Sequence, residues 1–116
     1  MADYLYHIAT SADWQHALEE GVYITASLAE EGFIHCSQHR QVLGTAARFY
    51  SGRKDLMLLL IDQNRVAAKV LYEPADGDTF PHIYGPVALD AVVQDFVFKP
   101  DDAGNFTMPG DLPDGP

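Results

Sequence analysis

The chain is short of cysteine, of basic residues and of long apolar runs, and each shortage closes off a class of function. Cys36 is the only cysteine, so no internal disulfide can form and nothing calls for an oxidising compartment. Seven Lys and Arg stand against seventeen Asp and Glu, a formal net charge of -10. A field of that sign repels phosphate backbones, which disfavours nucleic acid and anionic membranes as partners. The longest apolar run, Leu56 to Ile61, is far too short to span a bilayer. The beginning of the chain lacks the basic-then-apolar pattern of a signal peptide, so a cytoplasmic location is expected. There is no Gly-x-Gly-x-x-Gly turn, Gly-Lys-Ser/Thr phosphate loop, His-Glu-x-x-His pair or Gly-x-Ser-x-Gly elbow. A dinucleotide, if bound, would not be held by a doubly wound fingerprint.

What is present is a globular composition, 47% hydrophobic over 116 residues, enough for one core and not two. Tyr4 to Ile8 reads as an opening strand, with Leu5 and His7 on one face and Tyr6 and Ile8 on the other. Thr10 followed by Asp13 has capping-box spacing and starts a helix with Trp14, Ala17 and Leu18 as its apolar stripe, closed by Gly21. Val22 to Thr25 is extended, Ser27 to Glu31 is one helical turn, and Phe33 to Cys36 is a strand. Ser37 is placed to cap a second main helix reaching Tyr50, with Val42, Ala46 and Phe49 in its stripe. Leu56 to Ile61, apolar without alternation, predicts a central strand covered on both faces. Residues 69–73 form a further strand halted by Pro74. A polar loop over 75–79 precedes the segment from Phe80 to Gly85, and Val92 to Phe98 is the last strand. Arg40, Arg48, Arg53 and Lys54 crowd one stretch, as a solvated helix face or a local phosphate site. The order of elements predicts an α+β domain over residues 1–99, with a flexible acidic Pro/Gly-rich tail over 100–116.

Three histidines lie in unusually written segments: Tyr6-His7-Ile8, Gly32-Phe33-Ile34-His35-Cys36-Ser37 and Phe80-Pro81-His82-Ile83-Tyr84-Gly85. An imidazole among aromatic and β-branched neighbours is costly to bury unpaired, which marks all three as candidates for chemistry. Ser37 shares the face of His35, and Tyr84 that of His82. Glu73 is the one acid ending an apolar strand and suits the stabilisation of a developing cation. Cys36 neighbours His35 but faces the opposite way, which makes a thiol nucleophile a weak reading. Three imidazoles also make a zinc set, but no spacing here is metal-specific, so no metal is expected.

Tyr6-His7-Ile8, Ala26-Ser27-Leu28, Glu31-Gly32-Phe33-Ile34-His35-Cys36-Ser37, Tyr72-Glu73-Pro74 and Phe80-Pro81-His82-Ile83-Tyr84-Gly85-Pro86 together resemble the bacterial family called domain of unknown function 952. The resemblance runs from about Tyr4 to Phe98. It implies a compact relative of the ADP-ribosyltransferases, with an ADP-ribosylation-like fold: a split pair of small, mainly antiparallel sheets and two main helices. In that superfamily NAD lies in the cleft between the sheets. The resemblance then assigns His7, His35 and Glu73 to catalysis at the nicotinamide-bearing ribose, with His7 also on the ribose hydroxyls. It makes Ser27, His35 and Ser37 candidates for ligand contact, while His82 and Tyr84 are candidates on their own segment's shape. The implied partner is a small nucleotide-like ligand. A non-catalytic ligand-binding domain and a histidine-based metal enzyme stand as alternatives, and the oligomeric state is left open.

Overall fold

A computed structural model describes residues 3–109. It is an α+β domain of small antiparallel sheets with few helices. The first sheet has the order β1-β4-β8, built from β1 (Tyr4–Thr10), β4 (Leu56–Asp62) and β8 (Val92–Phe98). Its central strand lacks alternation because both faces are covered. Leu59 and Ile61 join Leu5, Ala9 and Trp14 on one side, while Leu58 and Leu60 join Tyr6, Val42 and Ala46 on the other.

Thr10 caps α1 (Ser11–Glu20), its side chain accepting from the Asp13 N–H, and Gly21 closes it with φ of 83°. Trp14 and Ala17 are buried as expected, but Leu18 is half exposed. The strand β2 (Val22–Tyr23) pairs with β7 (Val87–Ala88), and α2 (Ala26–Glu31) follows with Thr25 as its cap.

The second three-stranded sheet has the order β3-β6-β5, from β3 (Ile34–His35), β6 (Asp78–Ile83) and β5 (Val70–Ala75). Two expectations change here. Pro74 does not halt its strand, because β5 is an edge and a missing N–H costs nothing on the open side. The loop expected over 75–79 shrinks to Asp76-Gly77, both with positive φ (53° and 82°), the two-residue turn whose twist matches a hairpin.

Ser37 is likewise not a helix cap. It exchanges two backbone hydrogen bonds with Tyr6, at 2.9 and 2.7 Å, in an isolated bridge that ties the two larger sheets together. Gln38 and Gln41 form the capping box instead, opening a 3-10 turn that runs into α3 (Val42–Phe49). Val42 and Ala46 of its stripe are buried, while Phe49 is largely exposed.

Past residue 100, Phe106 stacks on Phe98 at 5.0 Å, and Met108 packs against the same core. The chain therefore remains against the first sheet up to there, and residues 110–116 of the expected tail lie outside the described residues. The three arginines of the cationic stretch are paired: Arg40 with Asp78, Arg48 with Asp76 and Arg53 with Asp55. No helix of the described residues is long and apolar enough to cross a membrane.

A candidate site at the junction of the two sheets

The Tyr6–Ser37 bridge is the point from which the sheets diverge. Tyr6 directs its N–H and C=O away from β4, toward Ser37. Strand alternation sends those of Ile8 the same way, where no described backbone group meets them. On β3, the pairing of Cys36 N–H with the Pro81 carbonyl leaves the His35 backbone groups turned from β6, toward β1. His7 fills this gap. Its Nδ1–H donates to the His35 carbonyl at 2.5 Å, and its Nε2 accepts from the Tyr23 hydroxyl at 2.7 Å. Burial lowers the imidazole pKa from 6.5 to about 4, so His7 is neutral and both nitrogens are occupied. Burial also raises the Tyr23 phenol, keeping it protonated as the donor. Tyr23 had no signal beyond its apolar neighbours; only the fold brings it to His7.

His35 and His82 are cross-strand partners, with rings 5.3 Å apart and edge to face. The His35 side chain is half exposed, and its Nε2 lies 2.7 Å from Glu31 Oε2, one helical turn back in sequence. His82 is nearly buried, stacked on Phe33 at 4.1 Å, and its Nδ1 lies 2.9 Å from Glu73 Oε1. The Tyr84 hydroxyl donates to that same oxygen. Hydrogen bonds from Tyr84 first, and His82 second, hold the Glu73 carboxyl below its ordinary range, so it is ionised at neutral pH. The partnership of His82, Glu73 and Tyr84 follows from period two once β5 and β6 are paired, with Glu73 opposite Phe80.

Two cavities meet at this junction. The larger, about 380 Å³, is lined by His35, His82, Ser37, Tyr50, Phe49 and Phe80, among others. The smaller, about 220 Å³, is lined chiefly by His7, Tyr23, Thr10, Asp13, Thr25 and Ser27. Ile8, His35 and Tyr50 belong to both. The larger is mostly aromatic and apolar and falls in the size range of small-molecule sites, ~300–1,000 Å³. The smaller is rich in hydroxyls.

The candidates therefore separate. His35 stands between the cavities, His7 and Ser27 border one, and Ser37 and His82 border the other. Glu73 lines neither and reaches the larger cavity through His82; Tyr84 is outside both as well. The Ser37 hydroxyl lies 3.3 Å from that of Thr45, and the Ser27 hydroxyl donates to the Phe33 carbonyl at 2.9 Å. Among the described residues no group of three His, Cys, Asp or Glu side chains is arranged to hold a metal ion. Both nitrogens of His7 are engaged by the His35 carbonyl and the Tyr23 hydroxyl. Cys36 is buried, and burial pushes its thiol up, so no thiolate forms there.

The fold is similar to that of protein CC0527 from Caulobacter crescentus. Its crystal structure matches with a TM-score of 0.81 at 28% identity, covering 90% of this chain and 93% of that one. A double mutant gives the same values, and the solution NMR structure a TM-score of 0.76 at 29% identity, covering 88% and 90%. No curated protein matches the chain. The family model described as Protein of unknown function (DUF952) matches residues 8–95, three quarters of the sequence, and the chain belongs to that family.

Proposed function

We propose that the cleft binds NAD through its nicotinamide riboside half, or an ADP-ribose-type nucleotide through the corresponding ribose, and that displacement takes place at the nicotinamide-bearing ribose carbon of NAD. On this reading the diverging sheets correspond to the split sheets of an ADP-ribosylation fold. The observation that carries it is the open backbone of Ile8 at the meeting point of both cavities. One N–H donor beside one C=O acceptor is complementary to a primary carboxamide, which presents the reverse pair.

The linings on either side suit the two parts of such a ligand. Tyr50, Phe49 and Phe80 offer faces and edges for a planar ring. Thr10, Thr25 and Ser27 offer hydroxyls for a ribose. No lysine or arginine is among the described lining residues, whereas Asp13 and Asp76 are. That balance favours the cationic pyridinium end and leaves a diphosphate at the mouth. There Arg48, 3.1 Å from Asp76, can exchange its partner for a phosphate. His7 acts as the clamp that keeps the strands apart, His35 meets the ligand from between the cavities, and Glu73 supplies its charge through His82.

Calorimetry with NAD, ADP-ribose and nicotinamide tests the reading. Heat is expected with NAD. It should be about tenfold weaker in affinity for His35→Ala, whose side chain is exposed enough to remove without unfolding, the loss of one contact worth about 1.4 kcal/mol. Absence of heat with all three ligands would overturn it. Binding without any turnover would reduce the protein to a ligand-binding domain.

A further inference from the structure

His82 is a nearly buried imidazole with a carboxylate on one nitrogen and a cavity that its ring lines. Nδ1 is taken by Glu73, whose charge is fixed in turn by the Tyr84 hydroxyl. Nε2 makes no hydrogen bond among the described residues. Since no buried side-chain nitrogen or oxygen there lacks a partner, Nε2 is not sealed off, and the ring that carries it lines the larger cavity. The Phe33 stack holds the plane of the ring. A carboxylate on Nδ1–H fixes the tautomer that leaves Nε2 as acceptor and stabilises the imidazolium formed when Nε2 takes a proton. Among the described residues neither Cys36 nor Ser37 completes a triad: Cys36 is a buried thiol, and the Ser37 hydroxyl lies against that of Thr45.

We infer that His82 is a general base that activates water in the larger cavity, so that the reaction of this cleft is hydrolysis rather than transfer to a macromolecular acceptor. The inference rests on the nucleotide reading above. In the step, the water oxygen bonds to the ribose C1′ as the bond from C1′ to the pyridinium nitrogen breaks. The electron pair of that bond remains on the nitrogen of released nicotinamide. The water proton passes to His82 Nε2 and then to solvent, and nothing is oxidised or reduced. His82 is the catalytic residue, and Glu73 and Tyr84 are positioning residues. The titratable groups around it are Glu73 and Tyr84 beside it, His35 from β3, and Cys36, Tyr50 and Asp76 in the lining of the same cavity; Glu31 acts only through His35.

The test incubates the whole chain with NAD, measures nicotinamide and ADP-ribose by chromatography and follows NAD binding by calorimetry. The wild type should release both products in equal amounts. His82→Ala should lower kcat by about 10²- to 10⁴-fold with little change in NAD affinity. His82→Gln, which can still donate to Glu73 and lie on Phe33, carries the comparison if the alanine variant does not fold. Glu73→Gln should give a smaller loss and displace the acidic limb of the rate–pH profile, which a merely structural role would leave in place. Unchanged turnover in both His82 variants overturns the inference and leaves the nucleotide reading whole; NAD binding by the wild type without nicotinamide release also overturns it and leaves only the binding part of that reading. Absence of NAD binding overturns both.

Discussion

Acid should destabilise this protein through His7 before its carboxylates titrate. The imidazole is buried, with Nδ1–H on the His35 carbonyl and Nε2 on the Tyr23 hydroxyl, and burial lowers its pKa from 6.5 to about 4. Above pH 6.5 it is neutral in both folded and unfolded chains and adds no pH dependence. Below 6.5 the unfolded chain binds a proton that the native state refuses. Stability then falls by about 1.36 kcal/mol per pH unit until the folded pKa is reached, about 3 kcal/mol in all. Against a typical total of about 5–15 kcal/mol that is a large share. Urea unfolding between pH 7.5 and 4.5 reads it directly. At pH 5 the loss should be about 2 kcal/mol, or about 1 M in midpoint at an m-value near 2 kcal/mol/M. His7→Gln is the control: its amide can meet both partners but does not titrate, so its curve should lack the loss that is due to His7. Glu73 is held ionised by Tyr84 and His82, and Asp78 by Arg40, so their protonation comes at lower pH and is common to both proteins. Parallel wild-type and His7→Gln curves over this window, or an NMR titration of His7 centred near 6.5, would refute the reasoning.

Tyr23→Phe should cost about 1–3 kcal/mol in urea unfolding, because it leaves His7 Nε2 as a buried acceptor without a donor; no loss would mean that the contact is not made. Gly85→Ala should destabilise by about 1–3 kcal/mol, since a Cβ there would stand 2.8 Å from the Ala68 Cβ. Gly44→Ala, exposed within α3 and with nothing near, should instead raise the melting temperature by a few degrees, about 1 kcal/mol of helix propensity.

Much of this architecture is legible in local chemistry. The uninterrupted run Leu56 to Ile61 marks the central strand, because only a strand covered on both faces can hide every side chain. Thr10 with Asp13, and Gly21, delimit α1 by satisfying the orphan groups at its ends. Where local reading fails, the reason lies in pairing. Pro74 breaks a strand only if its N–H side is needed, and that depends on β5 being an edge. Asp76-Gly77 closes a hairpin only because Ala75 and Asp78 are brought into register. Ser37 has a good capping side chain, yet its backbone is taken by Tyr6, thirty-one positions earlier.

The same division runs through the site. From residues alone, period two places Phe33 with His35 and His82 with Tyr84, so each histidine's companions on its own strand are determined before any fold is known. Which strands lie side by side is a long-range matter, and it is this that sets His35 against His82 and puts Glu73 behind His82. His7, a candidate by its strand and by the family resemblance, is locked in place by Tyr23 and the His35 carbonyl, because the strands part beside it and leave a carbonyl to be satisfied. His82, which had only a shaped segment to recommend it, is nearly buried with a nitrogen that no described group takes. Residue types and their alternation determine which side chains this protein has available for chemistry; the divergence of two sheets from a single bridge decides which of them face the cleft.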